Sequence, residues 1–252
     1  MSGTLIVLEG TDGSGKSTQF SLLCRTLEQA QRPFQRLIFP QYQQPSSALI
    51  RMYLGGEFGR RPSDVNPYAA SAFYAVDRYA SWKKVWGEYY TGGGLVLSDR
   101  YTTSNAVHQA CKLPEPEWEG FFQWLYDFEH AKLGLPRPDL VVYLDMPTER
   151  SIALLRAREQ ATHTQGDIHE VDAGYLALCR KTAIKLVEED NLDQCVTITP
   201  EDLETYLGVK KYRMDENEKS PKVGVVNGLA YTGVGGVLLN VETVIMPGKG
   251  NV

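Results

Sequence analysis

Paired cysteines are missing from this chain. Cys24, Cys111, Cys179 and Cys195 are scattered without a CxxC spacing. That excludes a disulfide framework or a cysteine zinc site as the organising device and leads us to expect reduced thiols in the cytoplasm. Long apolar runs are missing too. The opening Met1-Ser2-Gly3-Thr4 lacks a basic stretch, and the apolar segment behind it stops at Glu9. Neither a secretory leader nor a membrane span is expected from so short a run. No sign of charge dominates. A net charge of −5 argues against broad binding to nucleic acid or to an anionic membrane, and leaves room for a local basic pocket. Repeats and low-complexity tracts are absent as well. What remains is 252 residues, 42% hydrophobic and 23% charged, enough for one α/β domain with a core and a small addition.

The most informative stretch is Gly10-Thr11-Asp12-Gly13-Ser14-Gly15-Lys16-Ser17-Thr18, directly behind the apolar run Leu5-Ile6-Val7-Leu8. The order is strand, glycine-rich loop, helix, with the G-x-x-x-x-G-K-[ST] spacing of a P-loop. Its backbone N–H groups close around phosphate oxygens, and the helix N-terminus adds unpaired donors and a positive dipole end. Lys16 is expected to reach the β- and γ-phosphates, and the Ser17 hydroxyl to hold Mg²⁺. Strand-like runs recur at Leu5–Leu8, Arg36–Phe39, Gly94–Ser98, Asp139–Asp145 and Cys195–Thr199, with helical stretches between them. This alternation predicts a three-layer α/β fold of the P-loop NTPase type, a parallel sheet between helices, with its chemistry beyond the carboxyl ends of the strands.

The first helix is expected from Lys16 to Gln31. A second runs from Asn66 to Tyr90, capped by Asn66-Pro67 and carrying eight aromatic rings. Most of these rings are expected in the core, with base-pocket lining and contact with a second subunit as further roles. Beyond Thr199 the character changes. Lys210 to Lys222 is charged, and Val223 to Gly250 is glycine-rich and β-like, with a strand at Val237–Ile245 behind a hairpin or bulge at Gly233, Gly235 and Gly236.

Ser98-Asp99-Arg100-Tyr101 ends the third strand. Asp99 would order the hydration shell of Mg²⁺, and the fork of Arg100 matches phosphate geometry; a structural ion pair at the strand tip is the plainer alternative. Phe39-Pro40, Ala75-Val76-Asp77-Arg78 and Arg156-Ala157-Arg158 complete the set. With the start Leu5-Ile6-Val7-Leu8-Glu9-Gly10 and the Lys16-Ser17-Thr18-Gln19 that follows, this resembles the thymidylate kinase family over about Thr4 to Glu189.

The resemblance implies phosphoryl transfer from MgATP to dTMP, giving dTDP and ADP, in a homodimer. It gives Asp12 a contact to the deoxyribose 3′-hydroxyl, with an Asx-type turn brace as its alternative. Phe39 would flank the thymine ring, and Tyr74, or Phe73 if the register slips, would stack on it. Arg78 would lie near the base and acceptor phosphate. Asp99, Arg100 and Tyr101 match an Asp-Arg-Tyr motif, and Ser104, His108 and Gln109 fall where the base pocket is lined, His108 being equally a packed neutral side chain. Position 13 is Gly, so the essential arginine is expected from the lid, with Arg156 and Arg158 as candidates. On a regular helix these point about 200° apart, so both reach one phosphate only if the helix ends or bends at Ala161–Gly166. Asp167-Ile168-His169-Glu170 resembles an acidic lid end. The arginine common after Phe-Pro is absent from Gln41-Tyr42-Gln43-Gln44, and Arg51 is the nearest basic residue downstream.

The end of the chain resembles a different family. Thr199-Pro200-Glu201-Asp202-Leu203, Gly224–Ala230 and Met246-Pro247-Gly248-Lys249-Gly250 are similar to the entry of the proteolytic domain of Lon-type proteases. That family's catalytic serine and lysine lie beyond the Pro-Gly-Lys-Gly run, and Ser220 with Lys222 does not match them, so no peptidase activity is expected. Two domains follow: a kinase-like 1–207 and a Lon-like β-rich 208–252, joined somewhere in 190–210. The competing readings are a kinase for another nucleoside monophosphate or a deoxynucleoside, and a non-catalytic nucleotide-binding module with an interaction tail.

Overall fold

The computed structural model describes residues 2–162, 169, 173–189, 225–232 and 235–242. The chain divides into two units, Met1–Asp193 and Gln194–Val252. In the first, β1 (Thr4–Gly10), β2 (Gln35–Ile38), β3 (Leu95–Asp99) and β4 (Leu140–Leu144) form one parallel sheet in the order β2-β3-β1-β4. Each strand is separated from the next by helices, as parallel pairing requires. The anticipated strand at Cys195–Thr199 lies outside the described residues.

The central strands β1 and β3 are apolar because both their faces are covered, while β4 at the edge leaves Leu140 and Val142 exposed. On one face Leu5, Val7, Leu37 and Val96 pack with Trp86, Tyr90 and Tyr101; on the other Leu8 and Leu97 meet Phe20 and Cys24 of α1 (Lys16–Gln29). A short α2 (Ala48–Leu54) precedes the aromatic helix. That helix is not continuous. It starts where expected, with the Asn66 side chain accepting from the N–H of Tyr68 and Ala69 and Pro67 in the first position. α3 then spans Pro67–Ser81, a π-turn occupies Trp82–Trp86, and α4 is Gly87–Thr91. The Gly87 N–H bonds the Trp82 carbonyl, which stands 2.5 Å from where a Cβ on Gly87 would be, so the wide turn needs a glycine there. Its rings divide as well. Trp86 and Tyr90 are core, while Tyr68, Tyr79 and Tyr89 are exposed.

α5 (Thr102–Ala110) and α6 (Trp118–Tyr126) build a second cluster around Phe121, Leu125, Tyr175 and Cys179, the last two from α8 (Ala173–Glu189). Between β4 and α8 lies α7 (Thr148–Thr162). In the second unit β5 (Val225–Thr232) and β6 (Gly235–Glu242) pair antiparallel, Thr232 opposite Gly235. The predicted strand at Val237–Ile245 therefore begins two residues earlier, and Gly235 and Gly236 belong to its ladder rather than to the turn. Lys210–Lys222 and the Pro-Gly-Lys-Gly run lie outside the described residues.

Candidate active site

β1 delivers the loop Gly10–Gly15 to the edge where β3 also ends, Leu8 pairing with Asp99. α1 starts at Lys16 without a side-chain cap, so its first N–H groups stay available to an anion. A Cβ on Gly13 would sit 2.5 Å from the Ser151 carbonyl, so only glycine lets the loop pass α7. Lys16 is buried and donates to the Thr11 carbonyl at 2.9 Å. Burial first, then the Arg100 charge, pulls its ammonium down to about 8. The Ser14 hydroxyl is buried and unpartnered among the described residues, whereas Ser17 and Thr18 are exposed. Such a loop has the shape and donors to cradle a polyphosphate, with a lysine parked on the loop's own backbone.

Next to it lies a cleft with a cavity volume of about 120 Å³. Asp12, Phe39, Tyr74, Arg78, Arg100, Tyr101, Ser104 and Gln109 all line it. Tyr74 takes the position facing the cleft; Phe73 packs instead on Phe58, ring centres 5.9 Å apart. Phe39 leans on Tyr101, whose hydroxyl donates to the Pro136 carbonyl. Arg100 donates to the Asp12 carboxylate, to the Ser104 hydroxyl at 2.8 Å, and faces the His108 Nε2 at 3.4 Å. Burial alone would raise the Asp12 carboxyl; the charges of Arg100, His108 and Lys16 hold it well below the usual range. Asp99 is buried and its carboxyl is pushed up, burial outweighing Arg100 and Lys16.

Arg78 differs from the sequence reading in one respect. Its guanidinium is already paired, donating through Nε to Glu129 at 2.7 Å and through Nη2 to the other oxygen, with both side chains buried. Glu129 also accepts from Thr102 and Asn105. Arg78 therefore enters the cleft as half of a fully buried pair, whereas the pair that Arg100 makes with Asp12 is part-exposed and stands at the P-loop. Arg51 does not replace the arginine absent after Phe39-Pro40. Its Nη1 donates to the Tyr42 and Gln44 carbonyls and to Ser47, bracing that loop from outside. Gln41 turns away as well, towards Ser81. Arg156 and Arg158 do not come together. α7 runs unbroken to Thr162, so the two project about 200° apart, both exposed. Of the break anticipated at Ala161–Gly166, Ala161 and Thr162 are instead helical and 163–166 lie outside the described residues.

Sequence reasoning missed Asn105. Its Nδ2 donates to the Ser71 carbonyl and to Glu129, and its Oδ1 is buried and unpartnered among the described residues. Gln109 is fully buried, with both ends of its amide likewise unpartnered. These two stand four apart on α5, and that spacing was the signal available. His169 also lines the cleft, stacked on His108 at 5.4 Å. No spacing in the sequence pointed to that pairing.

A magnesium ion arriving with a bound triphosphate would find a hydroxyl at Ser17 and a carboxylate at Asp99, both hard oxygen donors. No group of three acidic, histidine or cysteine side chains among the described residues could hold a metal alone. A sparse oxygen set suits an ion that keeps waters and phosphate ligands, and magnesium fits it.

Residues 8–199 match the family model for thymidylate kinase, and residues 197–252 that for the Lon protease (S16) C-terminal proteolytic domain. A thymidylate kinase of Mycobacterium tuberculosis is 36% identical over 173 residues, covering 67% of this chain and 78% of that protein. A Lon protease of Nitratidesulfovibrio vulgaris is 41% identical over 88 residues, 35% of this chain but 11% of that protease, so the chain spans about a tenth of it. Among solved structures, the thymidylate kinase of Candida albicans superposes with a TM-score of 0.58 at 21% identity, over 82% of this chain and 89% of that one, a likeness of fold. The phosphate cradle and the cleft beside it fall wholly within the matched span, and the chain belongs to the thymidylate kinase family.

Proposed function

We propose that this enzyme transfers the γ-phosphoryl group of ATP to dTMP, releasing ADP and dTDP. The observation that carries the acceptor assignment is the unpaired Asn105 Oδ1 beside the wholly unpaired amide of Gln109, buried in a cleft whose walls include Phe39 and Tyr74. Unpaired amide groups beside aromatic faces suit a flat ring with alternating donors and acceptors, and a pyrimidine imide is one. Asp12, from the P-loop itself, and its partner Arg100 line the other end of the cleft, where a deoxyribose and its phosphate would lie.

The acceptor phosphate oxygen attacks the γ-phosphorus as the bond to the β-phosphate oxygen breaks, so no side-chain nucleophile or covalent enzyme intermediate is needed. The loop N–H groups bind the triphosphate, and Lys16 leaves the Thr11 carbonyl for the phosphates. Arg100 orients the acceptor and meets the developing charge, a preorganised contribution of the kind that commonly dominates such catalysis. Mg²⁺ at Ser17, with Asp99 ordering its waters, would neutralise phosphate charge. A lid arginine, Arg156 or Arg158, would close over the transferred group and exclude water.

We read the kinase as residues 1–207 and 208–252 as a Lon-like appendage without peptidase chemistry. Three buried free thiols among the described residues support a reducing, cytoplasmic setting, and no described helix is long and apolar enough to cross a membrane. The exposed Val76, Tyr79 and Val85 on the α3 side support a homodimer. A coupled ADP-release assay across dTMP, dUMP, dCMP, dGMP, AMP and thymidine tests the function. Turnover with dTMP is expected, also from a chain ending at Leu207. Turnover only with another acceptor, or ATP binding without transfer, rejects the assignment.

A further inference from the structure

We infer that Glu9, outside the phosphate-binding motif, is a positioning residue that sets the Arg100 guanidinium for transfer, acting through Ser104. The inference rests on the kinase reading above. Glu9 is 2% exposed, on β1 directly before Gly10. One carboxylate oxygen accepts from the N–H of Tyr101 at 2.9 Å and of Ser104 at 3.0 Å; the other accepts from the Ser104 hydroxyl at 2.5 Å. Tyr101 is the cap position of α5 and supplies no capping side chain. Glu9 takes that place from another element, satisfying donors the helix leaves open.

The hydroxyl gives the arrangement a direction. Ser104 has one proton, which goes to Glu9, so its oxygen is left to accept from Arg100 Nη1 at 2.8 Å. The Arg100 backbone is held with equal care. Its φ is +68°, a left-handed conformation that non-glycine residues rarely keep unless their surroundings impose it. Its N–H donates to the Leu8 carbonyl at 3.0 Å, the Ser98 hydroxyl donates to its carbonyl at 2.6 Å, and the next N–H is the one Glu9 accepts. Glu9 thus fixes the peptide after Arg100 and, through Ser104, the tip of its side chain. A brace for α5 alone would not need the second link.

The test compares Glu9→Gln and Ser104→Ala with the unaltered full chain, each also in an Arg100→Lys background. In Glu9→Gln the new amide oxygen would keep the backbone bonds while the new NH₂ meets Ser104, so the hydroxyl no longer passes its orientation to Arg100. The expected result is a fall in kcat of roughly 10- to 100-fold for either single variant, with KM for ATP within about threefold. With Arg100→Lys there is no fork to orient, so the further loss should be under about threefold. An equal loss in both backgrounds overturns the inference and leaves Glu9 as a brace. If Glu9→Gln does not fold, Ser104→Ala decides alone by the same comparison, because it leaves both main-chain bonds to Glu9. An unaltered chain inactive on dTMP and ATP rejects the kinase reading. An active one whose two single variants match it rejects only the role of Glu9.

Discussion

Gln109 is fully buried, and neither end of its amide meets another group among the described residues. An unpaired buried polar group costs roughly 1–3 kcal/mol, so the free enzyme carries a penalty that a bound base would remove. Gln109→Leu should accordingly leave stability unchanged or raise it by about 1 kcal/mol while raising KM for dTMP at least about tenfold. Urea unfolding and steady-state kinetics on one preparation check both; an unaltered KM places the base elsewhere. His108 makes the opposite contribution. Burial, followed by repulsion from Arg100 and Lys16, pulls it from an ordinary 6.5 down to about 3, against the opposing Asp12. The unfolded chain therefore binds the proton first, so stability is complete above pH 6.5 and is lost as pH falls towards 3. Between pH 7 and 5 the loss from this residue should be about 2 kcal/mol, and it should be missing from the difference measured for His108→Gln.

At the scale of elements, α5 gathers the cleft. Ser104, Asn105, His108 and Gln109 lie on it, and seven of its nine residues are buried. On a helix buried nearly all round, periodicity does not single out the cleft side, so Ser104, His108 and Gln109 were named from family resemblance and Asn105 was not named at all. α7 poses the reverse problem. Its regular course beyond Arg156 and Arg158 keeps their side chains about 200° apart. Only one of them can then serve the transferred phosphate. Of Arg156→Ala and Arg158→Ala, one should lower kcat by roughly 100-fold or more and the other by less than about threefold. Equal, large losses would mean that the helix unwinds on closure.

For the whole molecule, the order β2-β3-β1-β4 brings the ends of β1 and β3 together, and the P-loop, Asp99 and Arg100 meet there. The exposed apolar residues along α3 and the turn after it, Val76 at 52% and Tyr79 at 39% among them, are left without an apolar cover among the described residues. A second copy is the expected cover. Sedimentation should give the mass of two chains, and the double change Val76→Glu with Tyr79→Glu should give that of one. A single-chain mass for the unaltered protein would reject the dimer.

Local signals carried far. The glycine spacing with its Lys-Ser pair, the apolar runs and the Asn66-Pro67 cap each act through neighbours a few residues away, so P-loop, strands and helix starts were readable in one dimension. The partnerships were not. Arg78 finds Glu129 at 51 residues' distance along the chain, Arg100 finds Asp12 at 88, and Glu9 finds Ser104 at 95. Which charge is already neutralised and which amide is left unpaired depend on separation and burial in space. Those quantities exist only once the strands have taken their order, so folding alone decided that Arg78 would be locked in a buried pair with Glu129 and that Arg100 would meet Asp12 at the part-exposed, P-loop end of the cleft.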